Sequence, residues 1–212
     1  SGQGTMPMTP QADPLSGKRV VVGVTGGIAA YKAAALVSTL VQAGADVRVI
    51  MTESATRFVA PLTFQALSHN AVHVGLWDAD DSFRSAHIAL ADWADLGVVA
   101  PATANFLAKA ACGLADDLLS TTLLAMECPV LLAPAMNCRM WNNRIVQDNV
   151  ACLKAAGYPM VGPAEGHLAC GTSGAGRMAE PDEILAALRA LASGAAAARP
   201  APHKQPQRGK RT

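Results

Sequence analysis

Short apolar runs alternate with helical segments along most of this 212-residue chain. The strand-like runs are Val20–Val24, Asp46–Met51, Leu96–Ala100, Val130–Ala133 and the shorter Pro159–Val161. The helical segments are expected at about Ala29–Gln42, Ala104–Ala111, Leu118–Met126, Ile145–Ala156 and Pro181–Ala192. Apolar strands that alternate with helices are typical of a parallel sheet with helices on both faces. The sequence therefore predicts an α/β fold, a single-domain Rossmann-like (flavodoxin-like) doubly wound parallel sheet.

The charges are unevenly distributed along the chain. Residues 193–212 hold five basic residues and no acidic one, whereas residues 18–192 hold 12 basic and 15 acidic residues, a net charge of −3. A mildly acidic domain argues against a nucleic-acid groove. We expect one domain at 18–192, a disordered basic tail at 193–212, and a disordered leader at 1–17 that includes a cloning remnant.

The five cysteines are widely spaced and contain no C-x-x-C pair. This spacing disfavours a disulfide framework or a zinc site, so we expect no metal and a reducing compartment. No uninterrupted apolar run approaches the ~18 residues that a membrane span needs. The sequence therefore predicts a cytoplasmic protein with no membrane partner.

Small and polar residues follow four of the strand-like runs. These loops are Thr25–Ala30, Thr52–Ala55, Pro101–Phe106 and Pro134–Trp141. In open α/β sheets, ligands bind at the carboxyl ends of the strands. The Gly26-Gly27 turn lacks both the dinucleotide fingerprint and the Walker lysine, so a mononucleotide phosphate fits it best. Two alternatives remain open at this point: a tight turn without a ligand, and an Asn137 that only caps the next helix.

Two segments are expected to be irregular, residues 68–90 and residues 162–178. The first contains His87, and histidine is a side chain suited to proton transfer, although His69, His73 and His167 compete for that role. The second is rich in glycine and is typical of a lid, on which the Cys170 thiol could deliver a proton to a bound molecule. Arg177 in the same segment offers a planar fork for an anionic group.

Four motifs, in order, resemble those of the flavin-containing cysteine decarboxylases, and among them the phosphopantothenoylcysteine decarboxylases of coenzyme A synthesis. They are T-G-G-I-A-A-Y-K at Thr25–Lys32, H-I-x-L-x-x-W-A-D at His87–Asp95, P-x-M-N-x-x-M-W at Pro134–Trp141 and A-C-G-x-x-G-x-G-R-M at Ala169–Met178. The resemblance covers about residues 18–192, and the last motif resembles the family's substrate clamp.

The resemblance implies an FMN cofactor and assembly as a homotrimer or as a homododecamer of four trimers, with the flavin between subunits. Residue-by-residue matching implies that FMN contacts Gly26, Gly27, Ile28, Thr52, Ser54, Thr103, Ala104, Asn105, Phe106 and Ala135. It implies catalytic roles for His87, Asn137 and Cys170, with Cys170 as the proton donor. It further implies substrate contacts by Asn137, Met140, Ala169, Cys170, Gly171 and Arg177.

The implied activity is decarboxylation of 4′-phosphopantothenoylcysteine to 4′-phosphopantetheine. In the family the substrate thiol is oxidised to a thioaldehyde, CO₂ leaves, and the product is reduced again and protonated. Three alternatives share the fold: a peptidyl-cysteine decarboxylase, a flavin prenyltransferase, and a non-catalytic flavoprotein regulatory subunit. The clamp sequence disfavours the first two, and the presence of His87, Asn137 and Cys170 disfavours the third. The missing fingerprint disfavours a nicotinamide dehydrogenase.

Overall fold

A four-stranded parallel sheet forms the centre of the structure, a computed structural model that describes residues 12–76, 85–167 and 173–194. Its strands are β1 (Arg19–Val24), β2 (Asp46–Met51), β3 (Leu96–Ala102) and β4 (Val130–Pro134). They lie in the order β2-β1-β3-β4, with every neighbouring pair parallel. The predicted doubly wound parallel sheet of the flavodoxin-like type is confirmed.

Short stretches of chain extend this sheet at both edges. His73 forms a parallel bridge with Ile50 on β2, and Met160 forms one with Leu132 on β4. At the second edge, Leu132 N–H donates to Pro159 O at 2.9 Å and Val161 N–H donates to Leu132 O at 3.0 Å. The predicted run at Pro159–Val161 is therefore present as a single bridge.

Helices cover both faces of the sheet, and a separate hairpin follows them. The helices are α1 (Ala30–Gln42), α2 (Pro61–Ser68), α3 (Ala86–Trp93), α4 (Ala104–Cys112), α5 (Leu118–Ala125), α6 (Cys138–Trp141), α7 (Arg144–Ala155) and α8 (Pro181–Ala192), with a short 3-10 helix at Ala55–Arg57. The hairpin pairs β5 (Ala164–His167) with β6 (Ser173–Arg177) in antiparallel orientation. None of the helices in the described ranges is long and apolar enough to cross a membrane.

Two hydrophobic cores lie on opposite faces of the sheet because side chains alternate along each strand. On β1, Val20 and Val22 belong to the core shared with α1 and α8, whereas Val21 belongs to the core shared with α5 and α7. Gly23 faces the second core, where an added Cβ would lie 2.5 Å from Leu119 Cδ1. The absence of a side chain at Gly23 therefore lets α5 pack directly on the centre of the sheet.

Three expectations need correction. Residues 86–90, at the end of the segment expected to be irregular, belong to α3, which buries Leu90 and Ala91 in the second core. The same helix carries Trp93, whose ring lies 4.2 Å from the Arg48 guanidinium. Glycine-rich residues 164–167 and 173–177 pair as β5 and β6, because main-chain hydrogen bonds need no apolar side chains.

The domain starts before residue 18, where the sequence analysis placed its boundary. Leu15 is fully buried in the first core, and Asp13 pairs with Arg189 of α8 at 2.6 Å. The Arg189 hydrogen bond, together with the Leu15 N–H, lowers the pKa of Asp13. Residues 12–17 are therefore part of the folded domain.

Candidate functional site

A cavity of about 990 Å³ lies at the carboxyl edge of the sheet. Its wall combines the loops that follow β1, β2, β3 and β4 with parts of α4, α6 and the end of β6. The lining residues are Thr25, Gly26, Gly27, Ile28, Ala29, Tyr31, Lys32, Thr52, Ser54, Thr103, Ala104, Asn105, Phe106, Lys109, Asp117, Ala135, Met136, Asn137, Met140, Gly176, Arg177, Met178 and Glu180.

Thr25 joins two of these loops at the base of the cavity. Its hydroxyl donates to Pro101 O at 2.6 Å and accepts from Thr103 N–H at 3.2 Å. The side chain is almost fully buried, so these bonds are shielded from water. Thr25 therefore fixes the β1–α1 turn against the loop after β3.

Gly26 lies where the β1–α1 turn meets the loop after β2. A Cβ at this position would overlap Ser54 Cβ and would lie 2.9 Å from the Ser54 carbonyl carbon. At Gly26 and Gly27 the turn therefore presents only main chain to the cavity. At the start of α1, which begins at Ala30, Ala30 N–H donates to Gly27 O at 2.9 Å, and the positive end of the helix dipole lies at this turn.

Threonine hydroxyl groups bind the main chain of the loops after β2 and β3, and the second of them caps α4. Thr52 Oγ1 accepts from Ala55 N–H at 3.2 Å, and Thr103 Oγ1 accepts from Phe106 N–H at 3.3 Å. The Phe106 ring packs in the second core and is almost fully buried. These hydrogen bonds fix the loops while both threonines still line the cavity.

The loop after β4 is held from two sides. Ala135 N–H donates to Ala102 O at 3.1 Å, and Met136 N–H donates to Gly176 O at 2.8 Å. Asn137 Oδ1 accepts from Arg139 N–H at 2.8 Å and so caps α6. The capping alternative is therefore correct for Asn137, but the residue also lines the cavity.

The hairpin packs directly on that loop through its glycines. A Cβ on Gly176 would overlap Met136 O, and one on Gly174 would lie 3.0 Å from Cys138 Cβ. Any larger residue would push the hairpin away from the Pro134–Trp141 loop. The end of β6 therefore forms one wall of the cavity.

Two ion clusters lie on the cavity wall, and sequence reasoning found neither. In the first, Glu180 Oε1 lies 2.8 Å from Lys32 Nζ and 2.7 Å from an Arg177 guanidinium nitrogen. In the second, Lys109 Nζ lies 2.7 Å from Asp116 Oδ1 and 3.0 Å from Asp117 Oδ2. We call them the Glu180 cluster and the Lys109 cluster.

The pKa values in these clusters follow from the hydrogen bonds. The Lys32 ammonium, with a smaller contribution from Arg177, lowers the pKa of Glu180. The Asp116 hydrogen bond raises the pKa of Lys109, with Asp117 adding to it. Burial acts to raise the pKa of Asp117, but the Ser120 N–H and Lys109 outweigh it and lower that pKa. All the carboxylates with shifted pKa values are thus charged at neutral pH.

The structure brings together most of the residues that the sequence indicated. All ten residues matched to FMN contacts line the cavity, as do Asn137, Met140 and Arg177. His87 does not line it: this residue lies on α3, with Nε2 3.5 Å from Ser85 Oγ. His69 ends α2 and His73 bridges the sheet edge, so neither lines the cavity. Ala169, Cys170 and Gly171 lie outside the described residues.

Fold and site together define the class: a flavodoxin-like α/β protein with one large cavity at the carboxyl edge of its sheet. A family model described as Flavoprotein matches residues 8–193, and the chain belongs to this family. It is 54% identical over 171 residues to the coenzyme A biosynthesis bifunctional protein CoaBC of Bacillus subtilis (strain 168), a match that covers 81% of this chain and 42% of that protein. The chain thus spans about two fifths of the length of that relative.

Two solved structures are similar over nearly their whole length. The FMN-dependent cysteine decarboxylase SpaF is 36% identical, with a TM-score of 0.74, over 84% of this chain and 99% of SpaF. A cysteine-to-serine variant of PPC decarboxylase, complexed with pantothenoylaminoethenethiol, is 33% identical with a TM-score of 0.74, over 82% of this chain and 97% of the other.

Proposed function

We propose that this chain binds FMN and decarboxylates 4′-phosphopantothenoylcysteine to 4′-phosphopantetheine, a step of coenzyme A biosynthesis. One observation carries the proposal: the Pro134–Trp141 loop and the end of β6 meet on one cavity wall, through the Met136 N–H bond to Gly176 O at 2.8 Å. The loop motif and the described end of the clamp motif, Gly176–Met178, thus line one side of a single cavity. The names of the similar proteins support the same chemistry.

FMN fits this cavity on two grounds. The volume of about 990 Å³ is at the upper end of the usual range for small-molecule sites, which suits a cofactor together with a substrate. The Gly26-Gly27 turn lines the cavity beside the start of α1, where the positive end of the helix dipole favours a phosphate. When bound, FMN supplies the reversible two-electron oxidation of the substrate thiol, which protein side chains cannot perform.

The chain's own residues orient and protonate the substrate. Asn137 Oδ1 caps α6, which fixes the orientation of the amide on the cavity wall, where Asn137 contacts the substrate. Met140, about half exposed, offers an apolar contact at the rim. Cys170 Sγ donates the proton to the product after CO₂ has left. Ala169 and Gly171 flank it as substrate contacts.

The reaction in vitro tests the activity. Incubation of the flavin-loaded protein with 4′-phosphopantothenoylcysteine should give a product lighter by one CO₂, and a peptide ending in cysteine should not react. In Cys170→Ser we expect decarboxylation to proceed and the oxidised aminoenethiol to accumulate, since its proton donor is missing. Cys112→Ser, an exposed cysteine on α4, is the matched control. Full yield of saturated product from Cys170→Ser would eliminate the role of Cys170.

His87 requires a second subunit in this proposal, because it does not line the cavity of its own chain. We propose a homotrimer, alone or in a homododecamer, in which His87 of one copy reaches the cavity of the next. Ile28 and Tyr31 at the cavity rim are each 61% exposed, and such apolar groups are typical of an interface.

Mixed oligomers test this arrangement. His87→Asn and Asn137→Asp should each be inactive alone. After subunit exchange, cavities of the first variant can receive an intact His87 from the second, so activity should return. If no activity returns although exchange is demonstrated by mass, His87 does not act across a subunit boundary.

A further inference from the structure

Two cations on the cavity wall share a single carboxylate oxygen in the Glu180 cluster. Lys32 comes from α1, Arg177 from the end of β6 and Glu180 from the residue before α8. We propose that Lys32 and Arg177 form a subsite for a phosphate monoester, and that Glu180 occupies it until the phosphate replaces the carboxylate. This inference rests on the proposed function, because it concerns the same cavity.

The exposure of the three side chains indicates which of them can move. The Lys32 side chain is only 13% exposed, whereas Glu180 is 45% and Arg177 42% exposed. A largely buried ammonium needs an anion beside it, because removing its partner leaves an unpaired charge away from water. A half-exposed carboxylate can turn into solvent at small cost. Glu180 is therefore the exchangeable member, and Lys32 is the fixed one.

The charges match a phosphate once Glu180 has withdrawn. The cluster has two positive charges and one negative charge, a surplus of one positive charge. A phosphate monoester carries about −1.5 to −2 at neutral pH, so it balances the two cations better than one carboxylate does. The Arg177 guanidinium can bind two phosphate oxygens at once, and Lys32 can act as a point charge on a third.

Two nearby charged groups, Lys109 and Glu183, have partners of their own. Lys109, the other lysine on the wall, is held by Asp116 and Asp117. At the start of α8, Glu183 Oε2 accepts from Glu180 N–H at 2.8 Å, and the Glu180 side chain is the other half of this capping box, so its withdrawal from the cations also opens the cap.

Both the substrate and FMN carry a phosphate monoester, so the experiment has two arms. The first compares equilibrium binding of 4′-phosphopantetheine with that of pantetheine to the FMN-loaded protein by calorimetry. The second compares binding of FMN with that of riboflavin to the flavin-free protein by fluorescence quenching. Neither arm requires turnover, so failure of the proposed decarboxylation leaves both measurements interpretable.

The variants are Lys32→Met, Arg177→Lys and Glu180→Gln, with the exposed Lys154→Met on α7 as the control. In Lys32→Met, the preference for the phosphorylated compound should fall by about 10- to 100-fold in one arm, as expected for a lost charge-assisted hydrogen bond. The affected arm identifies which phosphate binds there. Arg177→Lys keeps the positive charge but loses the planar guanidinium group. The preference for the phosphorylated compound should therefore fall less than in Lys32→Met.

Glu180→Gln distinguishes a binding role from a structural one. Removal of the competing carboxylate should raise the preference for the phosphorylated compound, whereas a residue that only maintains the fold would weaken binding of both compounds equally. The proposal is overturned if Lys32→Met, folded by circular dichroism, keeps both preferences within about twofold of the wild type. It is equally overturned if Glu180→Gln lowers the preference in both arms.

Discussion

The two ion clusters on the cavity wall contain the same kinds of group in opposite proportions. The Glu180 cluster has two cations on one carboxylate, and the Lys109 cluster has two carboxylates on one cation. Lys109 already has two carboxylate partners and needs no further anion. Lys32 and Arg177 share one carboxylate, so they can accept another anion. The comparison therefore separates a cluster that stabilises the fold from one that is available to a ligand.

The local contacts of the Lys109 cluster support its structural role. Asp117 is the N-cap of α5, where Oδ1 accepts from Ser120 N–H at 2.8 Å and from Ser120 Oγ at 2.9 Å. Its other oxygen accepts from Lys109, the last basic residue of α4. One side chain thus joins the end of α4 to the start of α5.

The largest effect is expected for Asp117→Ala. The change removes the α5 cap and one of the two partners of Lys109, so we expect a loss of about 2–3 kcal/mol in the free energy of unfolding. Urea denaturation measures this value. Asp116→Ala is the matched control, because Asp116 is 52% exposed and caps no helix, and its loss should stay below about 1 kcal/mol. Equal losses in the two variants would show that the cap contributes nothing.

A smaller effect is expected for Glu180→Gln, and it should depend on phosphate. The variant leaves Lys32 and Arg177 without their shared counter-charge, so we expect a loss of about 1 kcal/mol in the free energy of unfolding. Because a ligand that binds only the folded state stabilises it, inorganic phosphate should restore much of this loss. Chloride at the same ionic strength is the control for screening. Phosphate should not rescue Asp117→Asn, and equal rescue of both variants would remove the distinction between the clusters.

The sheet was predictable because its strands are largely buried on both faces, so apolar residues dominate them. The predicted bounds of β2, Asp46–Met51, and of α8, Pro181–Ala192, agree with the structure. The β5–β6 hairpin was missed because its strands are glycine-rich and it packs through main chain, as at Gly176 on Met136. A pattern search for alternating apolar side chains has no signal there.

The candidate site likewise has a part that the sequence predicts and a part that it does not. Strand-end loops were predictable because the topology of a parallel sheet brings the carboxyl ends of its strands to one edge. The ion clusters were not predictable from spacing, since Lys32 and Glu180 are 148 residues apart in sequence. The only available signal was that Lys32 ends the matched T-G-G-I-A-A-Y-K motif and Arg177 lies in the clamp motif, which places each residue on the cavity but does not pair them.

The smallest expected effect is a difference in acid stability. The folded-state pKa values of Asp117 and Glu180 are both lowered, so each stabilises the protein above its unfolded pKa, near 3.8 and 4.5 respectively, and this contribution is lost as the pH falls through the lower folded pKa. Loss of the Glu180 contribution should therefore begin at higher pH than loss of the Asp117 contribution. Urea midpoints measured at a series of pH values below 6 should fall less steeply in Glu180→Gln and in Asp117→Asn than in the wild type, with the Glu180→Gln curve departing first. Midpoint curves parallel to that of the wild type would mean that neither carboxylate is stabilised in its charged form by the contacts described.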